Sequence, residues 1–148
     1  MIPRTHWHSG LLVLTLLSAL VVEAEPGKVE GVQVIAHDGA PVGTLSQQDL
    51  RAIFSMKQKF WPDGSAINVF VLNPRHPIHE QFCRNKLQLL PFQLDRAWER
   101  QVYSGIGKRP VVVLTYGQML RQVAQTPGAI GYLPSDVETT AFPVSVRP

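Results

Sequence analysis

Apolar positions in this chain switch several times between a two-residue and an about 3.6-residue period, and the switches fall at Gly, Pro, Asn and Asp. Val32, Val34, Ile35 and Ala36 predict a first strand, closed by the turn residues His37 to Pro41. A first helix is expected after Ser46, whose hydroxyl can cap it. Asp49 stands near the positive end of that helix dipole, and Leu45 and Leu50 fit the two places of a hydrophobic staple. Leu50, Ile53 and Phe54 then share one face. Phe60, Trp61, Pro62, Asp63 and Gly64 cannot continue a helix and predict an ordered loop. Ile67 to Leu72 reads as a buried second strand, ended by Asn73 and Pro74.

Pro77 suits a first helical position, so a second helix is expected there, with Ile78 and Phe82 inward and Arg84 and Lys86 at its far end. A third helix spans Gln93 to Tyr103, with Leu94, Trp98 and Val102 at successive i, i+4 steps and Trp98 as its anchor. Ser104, Gly105, Ile106 and Gly107 break it, and Pro110 to Leu114 runs extended. Thr115 opens the clearest helix. Gln118 completes a capping box, Leu114 and Met119 make a staple, and Leu120, Val123 and Ala124 face inward. Thr126, Pro127 and Gly128 stop it, Ala129 to Tyr132 begins another strand, and a last extended piece lies between Ala141 and Val146. Strands separated by helices, without internal repeats, predict an α/β domain with a mixed sheet flanked by helices.

The region before the first strand changes the compartment. Arg4, His6 and His8 precede an apolar run from Leu11 to Val22, and Val22-Glu23-Ala24 forms a small-residue exit. These are the parts of a secretory signal peptide spanning 1–24, and the apolar run falls short of the roughly 20 helical residues that a hydrocarbon core needs. Cleavage, a periplasmic location and no lasting membrane insertion are expected. The remainder, 25–148, has the size of one domain.

The net charge of +3 is spread along the chain, without the basic stripe or known module that nucleic acid binding would require. Cys83 is the only cysteine, so no internal disulfide supports the core. His79 and Cys83 lie four residues apart on one predicted helical face. That spacing leaves a thiol and base pair or two metal ligands conceivable, yet neither set is complete, and Cys83 reads as a small buried hydrophobe. No catalytic residue, metal or cofactor is expected. Arg75, His76 and His79 gather at a helix start, where charge and dipole together can hold an anion, and where a plain solvated helix entry is the alternative. Thr115 can offer its hydroxyl at a second helix start or simply cap that helix. Ser104 and Gly105 form a turn that a small anion can approach closely, and a helix stop explains them equally well. Phe60, Trp61 and Tyr103 are either core or an exposed recognition patch.

The order of these motifs resembles that of phosphate-binding periplasmic proteins of bacterial ABC transporters. The resemblance rests on Leu45-Ser46 leading into Ile53-Phe54 and on Trp61-Pro62-Asp63-Gly64. It continues through the strand Ile67 to Val71, Phe82, Trp98, Tyr103-Ser104-Gly105 and Pro127-Gly128-Ala129-Ile130-Gly131-Tyr132. It implies a type 2 periplasmic-binding fold, in which two α/β lobes close on an anion held by helix-start amides, hydroxyls and an Arg. Beside it, the reading of helix starts and turns leaves Arg75, His76, His79, Ser104, Gly105 and Thr115 as the candidates for holding phosphate or a similar anion. The match departs where the family carries Ser-Gly-Thr: His76, Pro77 and Ile78 stand there, and Pro77 has no N–H to donate. The chain is long enough for about one lobe. Half a cleft binds a small anion weakly unless a second copy or an envelope protein closes it. A module that contacts an envelope partner without any small ligand is the other expectation.

Overall fold

The computed structural model describes residues 31–139 and 141–147. The expected signal peptide lies outside them. Seven strands and four α-helices follow in the order β1 (Val32–Ala36), β2 (Leu45–Ser46), α1 (Gln47–Phe54), β3 (Asn68–Leu72), α2 (Pro77–Phe82), α3 (Pro91–Tyr103), β4 (Val111–Val113), α4 (Tyr116–Gln125), β5 (Ala129–Pro134), β6 (Phe142–Val144) and β7 (Val146–Arg147). A π-helical turn, Cys83–Leu87, extends α2. The main sheet has the order β4-β3-β5-β1-β6, with β3 parallel to both β4 and β5, and β1 antiparallel to β5 and β6. β2 and β7 make a short parallel tie at one side.

Alternation along β5 sets the layers. Every residue of β5 is buried, as a strand covered on both faces must be. Gly131 faces Met119 and Val123 of α4. Tyr132, pointing the other way, stacks on Phe82 at 3.9 Å between ring centroids, and Phe82 meets Phe54 edge-on at 4.6 Å. So α4 covers one face, while α1 and α2 cover the other, and the expected α/β mixed sheet flanked by helices is what forms. Trp98 anchors α3 to that second layer, its indole N–H donating to the Phe54 carbonyl at 2.7 Å.

Local signals explain the helix starts. Ser46 and Asp49 form a full capping box: the Asp49 amide donates to the Ser46 hydroxyl oxygen at 3.1 Å, and the Ser46 amide donates to the Asp49 carboxylate at 2.9 Å. α3 begins at Pro91, ahead of the expected Gln93, because Gln93 reaches back to accept from the Leu90 amide at 2.8 Å. The box at Thr115 is half realised. The Gln118 amide donates to the Thr115 hydroxyl oxygen at 3.1 Å, but the Gln118 side chain accepts from Leu114 instead of Thr115.

Three expected core contacts do not form. Val102 is 43 % exposed because successive i, i+4 steps drift around a helix that turns every 3.6 residues; Ala97 fills the stripe beside Leu94 and Trp98 instead. Leu114 is 70 % exposed, so no staple to Met119 exists, and Met119 packs under Gly131. Ala124 is exposed because it lies about 100° around α4 from Val123, off the stripe that Met119 and Val123 turn to the sheet. Among the aromatic residues of the proposed patch, Trp61 is buried with its N–H on the Gly128 carbonyl at 3.1 Å, while Phe60 and Tyr103 are exposed.

Candidate functional site

β3 and β4 are parallel neighbours, so the turns that leave their C-terminal ends emerge side by side. The turn after β3 carries Arg75 and His76 into α2, and the turn after β4 carries Thr115 into α4. The rings of His76 and Tyr116 meet edge-on at 5.5 Å, which brings the two helix starts together. Such crevices beyond strand C-termini are where open α/β sheets hold ligands.

The two starts differ in what they leave available. At α2 every first-turn donor is used. Pro77 has none, the Ile78 amide donates to His76 Nδ1 at 3.1 Å, and the amides of His79 and Glu80 donate to the His76 carbonyl at 2.9 and 3.2 Å. The Arg75 amide is likewise held by Asn73 Oδ1 at 2.9 Å, though its side chain is exposed. At α4 the Thr115 hydroxyl and carbonyl accept from Gln118 and Met119, and the amides of Tyr116 and Gly117 make no hydrogen bond among the described residues. These two N–H groups are the free donors at this end, and Arg75 stands in the adjoining turn with its side chain exposed. Tyr116 and Gly117 escaped sequence reasoning, because only the parallel pairing of β3 with β4 sets their turn beside the one that enters α2. Asp136 works the other way. Partial burial first, and then its carboxylate, hold the Tyr116 hydroxyl above its ordinary pKa, which puts a negative charge beside the same end.

The remaining sequence-derived candidates lie elsewhere. His79 is fully buried on the inner side of α2, in a chain of polar contacts. The Leu72 amide donates to the Tyr132 hydroxyl oxygen at 3.0 Å, Tyr132 Oη lies 2.6 Å from His79 Nδ1, and His79 Nε2 lies 3.5 Å from Cys83 Sγ. Since Tyr132 accepts from Leu72, the network assigns its proton to Nδ1 and leaves the imidazole N–H on Nε2, facing the thiol. Burial, with a smaller contribution from His76, lowers the His79 pKa to about 4, and burial pushes Cys83 up to about 12. Both therefore hold their neutral forms at neutral pH. That state gives His79 no charge for an anion and Cys83 no thiolate for nucleophilic chemistry. Among the described residues no cluster of three metal-ligating side chains occurs.

Ser104 and Gly105 follow the C-terminus of α3, and Gly105 lines a groove with Asn68 and Val111 at the opposite, N-terminal ends of β3 and β4. They do not converge with Arg75, His76 and Thr115. The Ser104 hydroxyl donates to the Gln101 carbonyl at 3.0 Å, and Gly105 takes φ +69°, so the pair closes the helix.

A mixed sheet sandwiched by helices, with two helix starts gathered at the ends of its parallel strands, defines a single α/β lobe. Several solved structures have a similar fold. An ABC-type phosphate transport receptor from Vibrio cholerae matches with a TM-score of 0.58 at 13 % identity, over 78 % of this chain and 46 % of its own. A Clostridium perfringens protein assigned as a phosphate ABC transporter substrate-binding protein, solved with bound phosphate, matches at 0.57 and 16 % identity over 78 % and 44 %. PstS from Borrelia burgdorferi matches at 0.55 and 14 % identity over 78 % and 47 %. The chain thus spans less than half the length of each, as one partial lobe would. No family model matches the chain, and no curated protein matches it by sequence.

Proposed function

We propose that this chain is a non-enzymatic, exported binding domain that holds phosphate or a similar small oxyanion weakly at the start of α4. The observation that carries this reading is the 5.5 Å contact between the His76 and Tyr116 rings, which joins the residue that caps α2 to the first residue of α4. An anion there would accept two helix-start N–H bonds, complement the α4 dipole and meet one guanidinium. Its other side would remain in water, since the chain supplies about one lobe, so affinity is modest and a second copy or an envelope protein would be needed to close the site. Export rests on the signal-peptide pattern of 1–24, and no helix among the described residues is long and apolar enough to cross a membrane.

Calorimetric titration of the domain with phosphate and with sulfate tests the reading. A saturable heat that disappears in Arg75→Ala supports it, and no heat at millimolar anion overturns it. A second reading, an envelope interaction module without any small ligand, draws its support from Asp136. Its carboxylate stands beside Tyr116 and repels the anion that the amides attract.

A further inference from the structure

We propose that the outer edge of β4, with the basic groove that continues from it, takes an extended acidic and apolar segment of another protein as an added strand. The proposal is independent of whether the α4 start holds an anion.

Among the described residues β4 pairs with β3 alone, so one side of its backbone has no ladder partner. Successive side chains of a strand point to opposite faces, and both are open at the first two residues: Val111 is 54 % and Val112 46 % exposed, whereas Val113 is buried and Leu114 beyond it is 70 % exposed. The other edge, β6, is guarded by Pro143 in its middle, which cannot donate to a ladder. β4 carries its only proline, Pro110, just before it begins.

The edge leads into a groove of about 580 Å³ lined by Lys59, Phe60, Ile106, Lys108, Arg109 and Val111 among others, with no Asp or Glu in its lining. Phe60 and Ile106 are 61 % and 66 % exposed. The Lys59 ammonium donates to the Ile106 carbonyl and so stays at the groove wall. Arg109 has one carboxylate, Glu99, at 3.7 Å, with both side chains half exposed. Lys59 and Lys108 have none among the described residues.

The pattern selects the occupant. An added strand would use the vacant backbone groups of β4, its apolar side chains would cover Val112 on one face, and its carboxylates would project on the other, where Val111 adjoins the groove with Lys59 and Lys108. A second copy fits less well. Antiparallel pairing of two β4 edges about Val112 sets Lys108 and Arg109 opposite Tyr116 and Thr115 of the other copy, which supply no carboxylate.

A short labelled peptide alternating valine with glutamate, titrated into the purified protein and followed by fluorescence anisotropy, tests this. Saturable binding is expected, weakened about tenfold or more by Lys108→Glu and abolished when alternate peptide amides are N-methylated. Lys108 is exposed, so that variant folds, and circular dichroism confirms it. Three results would overturn the proposal: no binding at millimolar peptide, equal binding of the valine and lysine counterpart, or N-methylation without effect. Sedimentation showing a dimer that Val112→Lys dissolves would assign the edge to a second copy instead.

Discussion

Tyr132 Oη lies 2.6 Å from His79 Nδ1, and this contact joins the central strand β5 to α2 in the middle of the core. The same hydroxyl takes the Leu72 amide, so one phenol satisfies two buried groups on two other elements. Removing it by Tyr132→Phe leaves both without a partner. Their desolvation should cost about 2–4 kcal/mol, read as a lowered urea midpoint at unchanged m value. A change below about 0.5 kcal/mol would mean that the contact is incidental.

The same network makes stability fall in mild acid. The unfolded chain protonates His79 below its ordinary value of 6.5, whereas the folded chain resists down to about 4. Between those values the unfolded state binds more protons, so stability declines as pH falls through the window, by on the order of 3 kcal/mol at most. Asp49, whose carboxyl is held below its ordinary value by the Ser46 hydroxyl and amide, adds a further loss below about pH 3.8. Denaturant midpoints across this range should show both steps, and His79→Gln should remove the upper one.

The Cys83 thiol should resist alkylation in the folded protein. Its burial and raised pKa leave almost no thiolate at neutral pH. Labelling rates should track global unfolding in urea. Fast modification of the native protein would place the thiol in contact with solvent.

The last stretch of the resemblance, Pro127 to Tyr132, has a packing explanation. Gly128 takes φ +70°, and a Cβ on it would stand 2.2 Å from the Ala66 carbonyl oxygen. Gly131 has room for no side chain either, but its nearest obstacle, Met119 Sδ at 2.6 Å, is the end of a flexible chain. Gly128→Ala should therefore destabilise by about 2–4 kcal/mol and Gly131→Ala by about half as much. The reverse order in thermal unfolding would contradict this account of the motif.

Elements whose signals are local were legible in the sequence. Ser46, Thr115 and Pro77 mark helix starts through caps and fixed backbone angles, and the β-branched runs at Val32 and Ile67 mark strands. What depends on tertiary placement was not. How far the buried stripe of α3 follows the i, i+4 steps to Val102 depends on what α3 packs against, and His79 reads as a charged helix entry until Tyr132 is seen beside it. The site was divided for the same reason. Ser104 and Arg75 look alike as turn residues, but β3 and β4 run parallel and carry them to opposite ends. The His76–Tyr116 contact needs the fold to exist at all.

Amide NMR of the isotope-labelled domain during phosphate addition tests the central claim most directly. Saturable shifts centred on the amides of Tyr116 and Gly117, with smaller ones at Arg75 and His76, are predicted. Shifts scattered over the surface lysines and arginines, or centred on Ser104 and Gly105, would contradict it.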